Sequence, residues 1–377
     1  MKKAMLVVID GLHDEGIEIL GGRSSFEYAF HPNIDALARG GERGFLAPSS
    51  NETSPESMSS ILSLLGVRRD HFPSGRAAFE LVSHGYGLKD DEVVMRCNLV
   101  AEDSMGRLKS FNGGGLSKCR LKRTGEILSG SRGIRFIHLS GYRNLIVMNR
   151  RLLNGCSRFP APPHESVGEN LDGLLSGIFS SSPGLRDFAE MASRAISVFG
   201  DEDTRYRLYP WGMSERAEVP SFENMYGKRG AAVCAAEIAR GIALSLGMSV
   251  PGLDGITSDT DTDLSAKARA ALSLLSDHDF VLVHINGTDE VSHRRDVMGK
   301  VKFIEKIDDE FAGALVDGPL GGVNIMFCSD HATSPISGRH LGIPVPYVIC
   351  RAMENGGAEA LETSVNRIAV PEYLMRI

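Results

Sequence analysis

The sequence predicts an α/β protein: a mostly parallel sheet with helices on both faces, plus a smaller inserted α+β domain. Two observations predict the core. Short apolar runs alternate with helix-period segments toward both ends of the 377-residue chain, and these runs are continuous rather than alternating, as in strands covered on both faces. A third predicts the insertion: the middle of the chain turns Gly-, Pro- and Ser-rich.

Met5-Leu-Val-Val-Ile9 reads as the first buried strand. It follows Met-Lys-Lys but ends in Asp10-Gly11 with no small-residue cleavage site, so it is not read as a signal peptide. Pro32 to Ala38 reads as a helix, and Pro55 to Leu65 as another, with Ser54 as N-cap and Gly66 as stop. Residues 67–215 read as the inserted domain; they hold Asn112-Gly-Gly-Gly115, Phe159-Pro-Ala-Pro-Pro163 and the run Ser180 to Ser182. Residues 1–66 and 216–377 form the core. There Phe280–Ile285, Val323–Cys328 and Val345–Cys350 read as strands, and Gly230 to Leu246, Leu264 to Leu275 and Lys300 to Leu315 as helical segments. Such alternation argues for a parallel sheet.

Composition excludes several classes. A net charge of −7 disfavours nucleic acid as partner, because phosphate backbones are bound by clustered Lys and Arg. No apolar stretch reaches the roughly 18 residues of a membrane span. The six cysteines are scattered without a C-x-x-C pair and read as free thiols of a cytoplasmic protein.

Hard and borderline metal ligands follow the apolar runs. Asp10 follows the first; Asp289 and His293 follow Ile285 at i, i+4 spacing; Asp330 and His331 follow Cys328; His340 lies in a loop shortly after. Parallel strands share one carboxyl edge, so these positions converge there. Three Asp and three His suit Mn²⁺, Mg²⁺ or Zn²⁺. They exceed the needs of one ion and suggest a pair roughly 4 Å apart. Taken singly, an Asp-Gly after a strand is usually a turn and an Asp-His a surface pair; six together at strand ends are not. A nucleophile candidate, Ser57, stands in the first turn of a helix, where amides and the helix dipole favour an anion. Spacing alone does not separate it from Ser54, Ser59 and Ser60.

These segments, with Pro32-Asn-Ile-Asp35, Leu62-Ser-Leu-Leu-Gly66, Gly75-Arg76, Phe79-Glu80, Arg96-Cys-Asn98 and His340-x-x-x-Pro344, resemble the archaeal-type cofactor-independent phosphoglycerate mutases, in order along nearly the whole chain. The resemblance implies an alkaline-phosphatase-type core and an isomerase that interconverts 3- and 2-phosphoglycerate without 2,3-bisphosphoglycerate. Ser57 would carry the phosphoryl group as a phosphoserine. One divalent ion would sit at Asp10, Ser57, Asp330 and His331 and another at Asp289, His293 and His340. Mn²⁺ is the first choice, with Mg²⁺ and Zn²⁺ as alternatives. Arg76, Arg96, Asn98, Arg143, His164 and Arg229 are the implied contacts to a small phosphorylated carboxylate. Tyr142-Arg143, Pro162-Pro-His164-Glu and Tyr209-Pro-Trp211-Gly resemble a bacterial branch for which homoserine phosphorylation has been proposed. A homoserine kinase-like transferase and a metal-dependent phosphatase are therefore the alternatives. A non-catalytic metal- or ligand-binding relative is a third, motivated by Glu56-Ser57-Met58 where the family usually has Gly-Ser-Asp. Arg229 replaces the family's usual Lys, and the two are not equivalent phosphate binders.

Overall fold

The computed structural model describes residues 3–47, 56–128, 133–156, 158–352, 358–359 and 370–376. The chain divides into two units, Met1–Phe72 with Val219–Ile377, and Pro73–Glu218. The first unit opens with β1 (Lys3–Ile9) and β2 (Glu42–Leu46). The second carries β3 (Glu92–Asp103), β4 (Leu108–Ser110), β5 (Ile134–Ser140), β6 (Arg143–Asn149) and β7 (Thr204–Ser214). The chain then returns to the first unit with β8 (Gly230–Val233), β9 (Phe280–Ile285), β10 (Val323–Cys328), β11 (Ala332–Thr333), β12 (His340–Leu341), β13 (Val345–Ala352) and β14 (Ala358–Glu359).

The sheet of the first unit has the order β14-β13-β10-β1-β9-β8, with β2 also on β13. β1 lies parallel between β9 and β10, and β8 is parallel to β9. Val345–Cys350, expected as one more strand of a parallel sheet, lies in β13, which runs antiparallel to β10, β2 and β14. Met5, Val7 and Ile9 pack with Leu264 and Ala268 of the helix Leu264–Leu274 and with Val301 and Ile304 of the helix Val297–Lys306. Alternate residues Leu6 and Val8 point to the other face and are equally buried. The helix Val370–Arg376 packs against β1 and β10, where Asn324 Nδ2 donates to the Leu374 carbonyl at 2.6 Å. Cover on both sides is why the strand is apolar throughout Ala4 to Ile9.

Two local expectations change. Ser54 and Pro55 lie outside the described residues, and the helix there runs Ser57–Leu64. It stops at Gly66, which adopts φ +76, a conformation open to glycine at little cost. Gly230–Val233, expected as the start of a helix, is instead the buried strand β8, and the helix begins at Glu237. Its Gly-Ala-Ala sequence looks helical, but a Cβ on Gly230 would meet Phe222 at 2.9 Å. Tertiary packing selects small residues there, and the strand follows from pairing with β9.

The second unit is an all-antiparallel sheet of order β4-β3-β6-β5, with β7 also on β3. Leu171, Leu175 and Ile178 of the helix Leu171–Ser181, and Leu185, Phe188 and Ala192 of the helix Pro183–Ala195, close one core over Val93, Met95, Cys97 and Leu99.

Candidate metal centre

The carboxyl ends of β1, β9 and β10 deliver the predicted ligands to one place. Asp10 follows β1 directly. After β9 the helix Gly287–His293 carries Asp289 and His293 on one face. Asp330 and His331 follow β10, and the β11–β12 ladder sets Thr333 opposite His340. Ser57 stands in the first turn of the helix Ser57–Leu64, where the opening amides have no intrahelical acceptor.

Two constellations result. In the first, His331 Nε2 faces Ser57 Oγ at 3.1 Å, Asp10 Oδ1 at 3.3 Å and Asp330 Oδ2 at 3.4 Å. In the second, His293 Nε2 lies 3.1 Å from Asp289 Oδ2 and 3.3 Å from His340 Nε2, with His340 Nε2 3.5 Å from Asp289 Oδ1. Ligands bonded at about 2.1 Å stand about 3.0 Å apart along an octahedral edge and about 3.4 Å along a tetrahedral one. Both sets have those spacings.

The hydrogen bonds also prepare the imidazoles. The Thr333 hydroxyl donates to Asp289 Oδ1 at 2.7 Å and accepts from His331 Nδ1 at 3.1 Å. His293 Nδ1 donates to the Gly338 carbonyl at 2.9 Å. Each bond fixes a ring proton on Nδ1 and turns Nε2 toward the carboxylates; His331 Nε2 can offer its lone pair there, and His293 Nε2 can once it gives up the proton it shares with Asp289.

Electrostatics agree. Burial, then the Asp330 and Asp289 carboxylates, push Asp10 well above the usual carboxylate range. Burial would raise Asp289 too, but hydrogen bonds from His293 and His340 outweigh it and hold it well below. The same bond to Asp289 lifts His293 to about 9. Burial lowers His331, and lowers His284 to about 4. Asp10 Oδ1, Asp330 Oδ2 and both ring nitrogens of His284 are buried without a hydrogen-bond partner. Such groups cost about 1–3 kcal/mol each when left unsatisfied, and a divalent cation would satisfy them together. The donor set therefore fits a metal. Gly11 has φ +62, and a Cβ on it would come within 2.8 Å of Thr333 Oγ1 and Asp289 Oδ1.

Sequence reasoning missed His284, Thr333 and the reason for Gly11. For His284 a signal existed: it is the one polar residue in β9, and an imidazole inside an apolar strand requires a partner. Thr333 gave none, since a threonine beside a strand end is commonplace.

In the second unit five of the six predicted substrate contacts are connected. Glu80, 2% exposed, accepts from Arg76 Nε at 2.9 Å and Arg96 Nε at 3.1 Å. The Arg96 guanidinium lies 4.3 Å from the Trp211 ring centre. Trp211 Nε1 donates to Asn98 Oδ1, and Asn98 Nδ2 to the Phe111 carbonyl, both at 3.0 Å. Phe111 meets the His164 ring edge-on, and Arg143 stands opposite Asn98 in the β3–β6 ladder. Two guanidinium groups thus share one buried carboxylate, while Arg143 Nη2 donates to Ser140 Oγ at 2.9 Å. Arg229 belongs to the other unit, is exposed, and its backbone amide donates to Asp279 Oδ2 at 2.9 Å.

Fold and centre together define a metal-dependent enzyme, and residues 2–374 match the family model of the metalloenzyme superfamily, to which the chain belongs. Within it, the chain belongs to the family of the 2,3-bisphosphoglycerate-independent phosphoglycerate mutases. It is 31% identical to the one from Methanopyrus kandleri, covering 93% of this chain and 88% of that protein, and 30% identical to the one from Methanosarcina mazei, covering 93% and 91%. The fold is also that of the cofactor-independent phosphoglycerate mutase from Thermoplasma acidophilum, with TM-score 0.60 and 22% identity over 100% of this chain and 99% of that one. No helix among the described residues is long and apolar enough to cross a membrane.

Proposed function

We propose that this protein interconverts 3-phosphoglycerate and 2-phosphoglycerate without added 2,3-bisphosphoglycerate, by way of a phosphoserine on Ser57, as a cytoplasmic glycolytic enzyme. The observation that carries the reading is the position of the Ser57 hydroxyl, 3.1 Å from His331 Nε2 and beside the buried carboxylate set. The two constellations support two divalent ions, with Mn²⁺ the first choice for mixed carboxylate and imidazole donors. When bound, the ions neutralise the transferring phosphoryl group and lower the pKa of the serine hydroxyl.

Ser57 Oγ forms the new P–O bond as the bond to the glycerate 3-oxygen breaks, and the departing oxygen takes up the proton that Ser57 gives up. The retained glycerate presents its 2-hydroxyl, and the same exchange runs in reverse. Arg76, Arg96 and Arg143, with Asn98 and His164, hold the carboxylate and phosphate, and Arg229 adds a further charge. The guanidinium planes suit bidentate anion binding. The inserted domain, about residues 67–215, acts as the lid that keeps water from the phosphoserine. Mutase activity wins over hydrolysis because an oriented hydroxyl competes with water at an effective molarity that reaches roughly 10⁵ M.

One reaction mixture tests this. With 3-phosphoglycerate and Mn²⁺, 2-phosphoglycerate should form faster than inorganic phosphate. Dominant phosphate release would make the protein a phosphatase, and turnover only with homoserine and ATP would make it a kinase. No phosphoenzyme with any phosphoester would leave a non-catalytic binder.

A further inference from the structure

We propose that His284 is itself a ligand of the ion held at Asp10 and Asp330, an inference that rests on the two-ion reading above. His284 is fully buried in β9 beside Val8 of β1. Its Nε2 lies 3.4 Å from Asp10 Oδ2, outside hydrogen-bonding geometry, and neither ring nitrogen has a hydrogen-bond partner. One donor atom from each of Asp10, His284 and Asp330 lies within 4.8 Å of the others.

A packing role does not account for this residue. The other β9 positions are Phe, Val, Leu, Val and Ile, and a leucine would fill the strand without stranding two ring nitrogens. Nor does a hydrogen-bonding role account for it, because Asp10 Oδ1 and Asp330 Oδ2 nearby are equally unsatisfied. Two carboxylate oxygens and an imidazole lone pair are all acceptors. A metal cation satisfies three acceptors at once, and among the described residues no protein donor is hydrogen-bonded to Asp10 Oδ1, Asp330 Oδ2 or either His284 ring nitrogen. The strand is held in place from behind, since Lys267 Nζ donates to the His284 carbonyl at 2.8 Å. With His284 the Asp10 ion has two imidazoles, His284 and His331, matching His293 and His340 at the other ion. This nitrogen content disfavours Mg²⁺ at both positions.

The test uses the full chain and Mn²⁺. Equilibrium dialysis gives stoichiometry and affinity, and pulsed EPR counts imidazole nitrogens coupled to each ion. His284→Gln should weaken one of two ions by about tenfold or more and remove one coupled nitrogen. His284→Leu should keep, or raise, the melting temperature of the metal-free protein while losing much of the rise that Mn²⁺ gives the wild type. An unchanged nitrogen count in His284→Gln overturns the proposal, as does a metal-free melting temperature of His284→Leu that falls as far as the loaded one. Fewer than two ions in the wild type would instead overturn the two-ion reading, and the nitrogen count would still decide the role of His284.

Discussion

The Ser57 hydroxyl stands 3.1 Å from His331 Nε2, and the far nitrogen of that ring is fixed by Thr333, which is itself fixed by Asp289. One hydrogen-bonded chain therefore runs from the candidate nucleophile to the second constellation, so the two halves of the centre share their orientation.

Ser57→Ala should abolish turnover by several powers of ten, because no other hydroxyl occupies that position. Stability should change by no more than about 1 kcal/mol, since Ser57 sits inside the first turn and the N-cap is Glu56. Mass spectrometry of acid-quenched wild type should place phosphate on Ser57. Finding it on Ser59 or Ser60 would relocate the nucleophile.

The His293–Asp289 pair predicts how metal uptake responds to pH. In the metal-free protein His293 is raised to about 9, so its protonated form stabilises the fold. That contribution is complete below the unfolded value near 6.5 and fades as pH rises through 9. A metal at this cluster must displace the proton, so Mn²⁺ uptake at pH 7.5 should release close to one proton per ion there. Calorimetry in buffers of differing ionisation enthalpy measures it, and His293→Ala should lose the release.

Gly11→Ala should damage the centre more than the fold. The added methyl would sit within 2.8 Å of Thr333 Oγ1 and Asp289 Oδ1, besides carrying a left-handed backbone penalty of about 1 kcal/mol. Mn²⁺ affinity should fall at least tenfold while the protein remains folded. Unchanged affinity by dialysis would show that Thr333 does not fix the ligands.

Glu80→Gln should leave Arg76 and Arg96 without their shared counter-charge. Breaking a buried pair costs roughly 3–5 kcal/mol, and partial exposure of both arginines reduces that to about 1–3. The KM for 3-phosphoglycerate should rise about tenfold, while hydrolysis of a small aryl phosphate, which in the proposed mechanism needs only Ser57 and the ions, changes little. Parallel losses in both reactions would remove the arginines from substrate binding.

The parts legible in the sequence are those where chemistry and position coincide. Asp10, Asp289 and Asp330 were readable because an acid after an apolar run sits at a strand's carboxyl end, and the sheet order does the rest. The helix over Leu264–Leu274 was readable from its period. β8 was not, because alanine and glycine carry no strand preference and only contact with Phe222 and β9 decides it. The antiparallel sense of β13 was equally hidden, since a buried strand has the same composition in either direction. His284 was visible as a residue but not as part of the centre, because its partners come from β1 and from the turn after β10.

Where β1 sits has a consequence for synthesis. Val8 pairs with His284 and Cys328, so the first strand made waits for partners made near the end. At roughly 5–20 residues per second, that interval is on the order of tens of seconds. Through it a strand apolar from Ala4 to Ile9 has no sheet to join, while Pro73–Glu218, continuous in sequence and with its own core, can complete itself. Ribosome-stalled chains ending near residue 260 should resist protease across 73–218 and be cut throughout 3–72. If the early segment is already protected at that length, β1 has found cover elsewhere, and the nascent protein depends on a chaperone less than its topology demands.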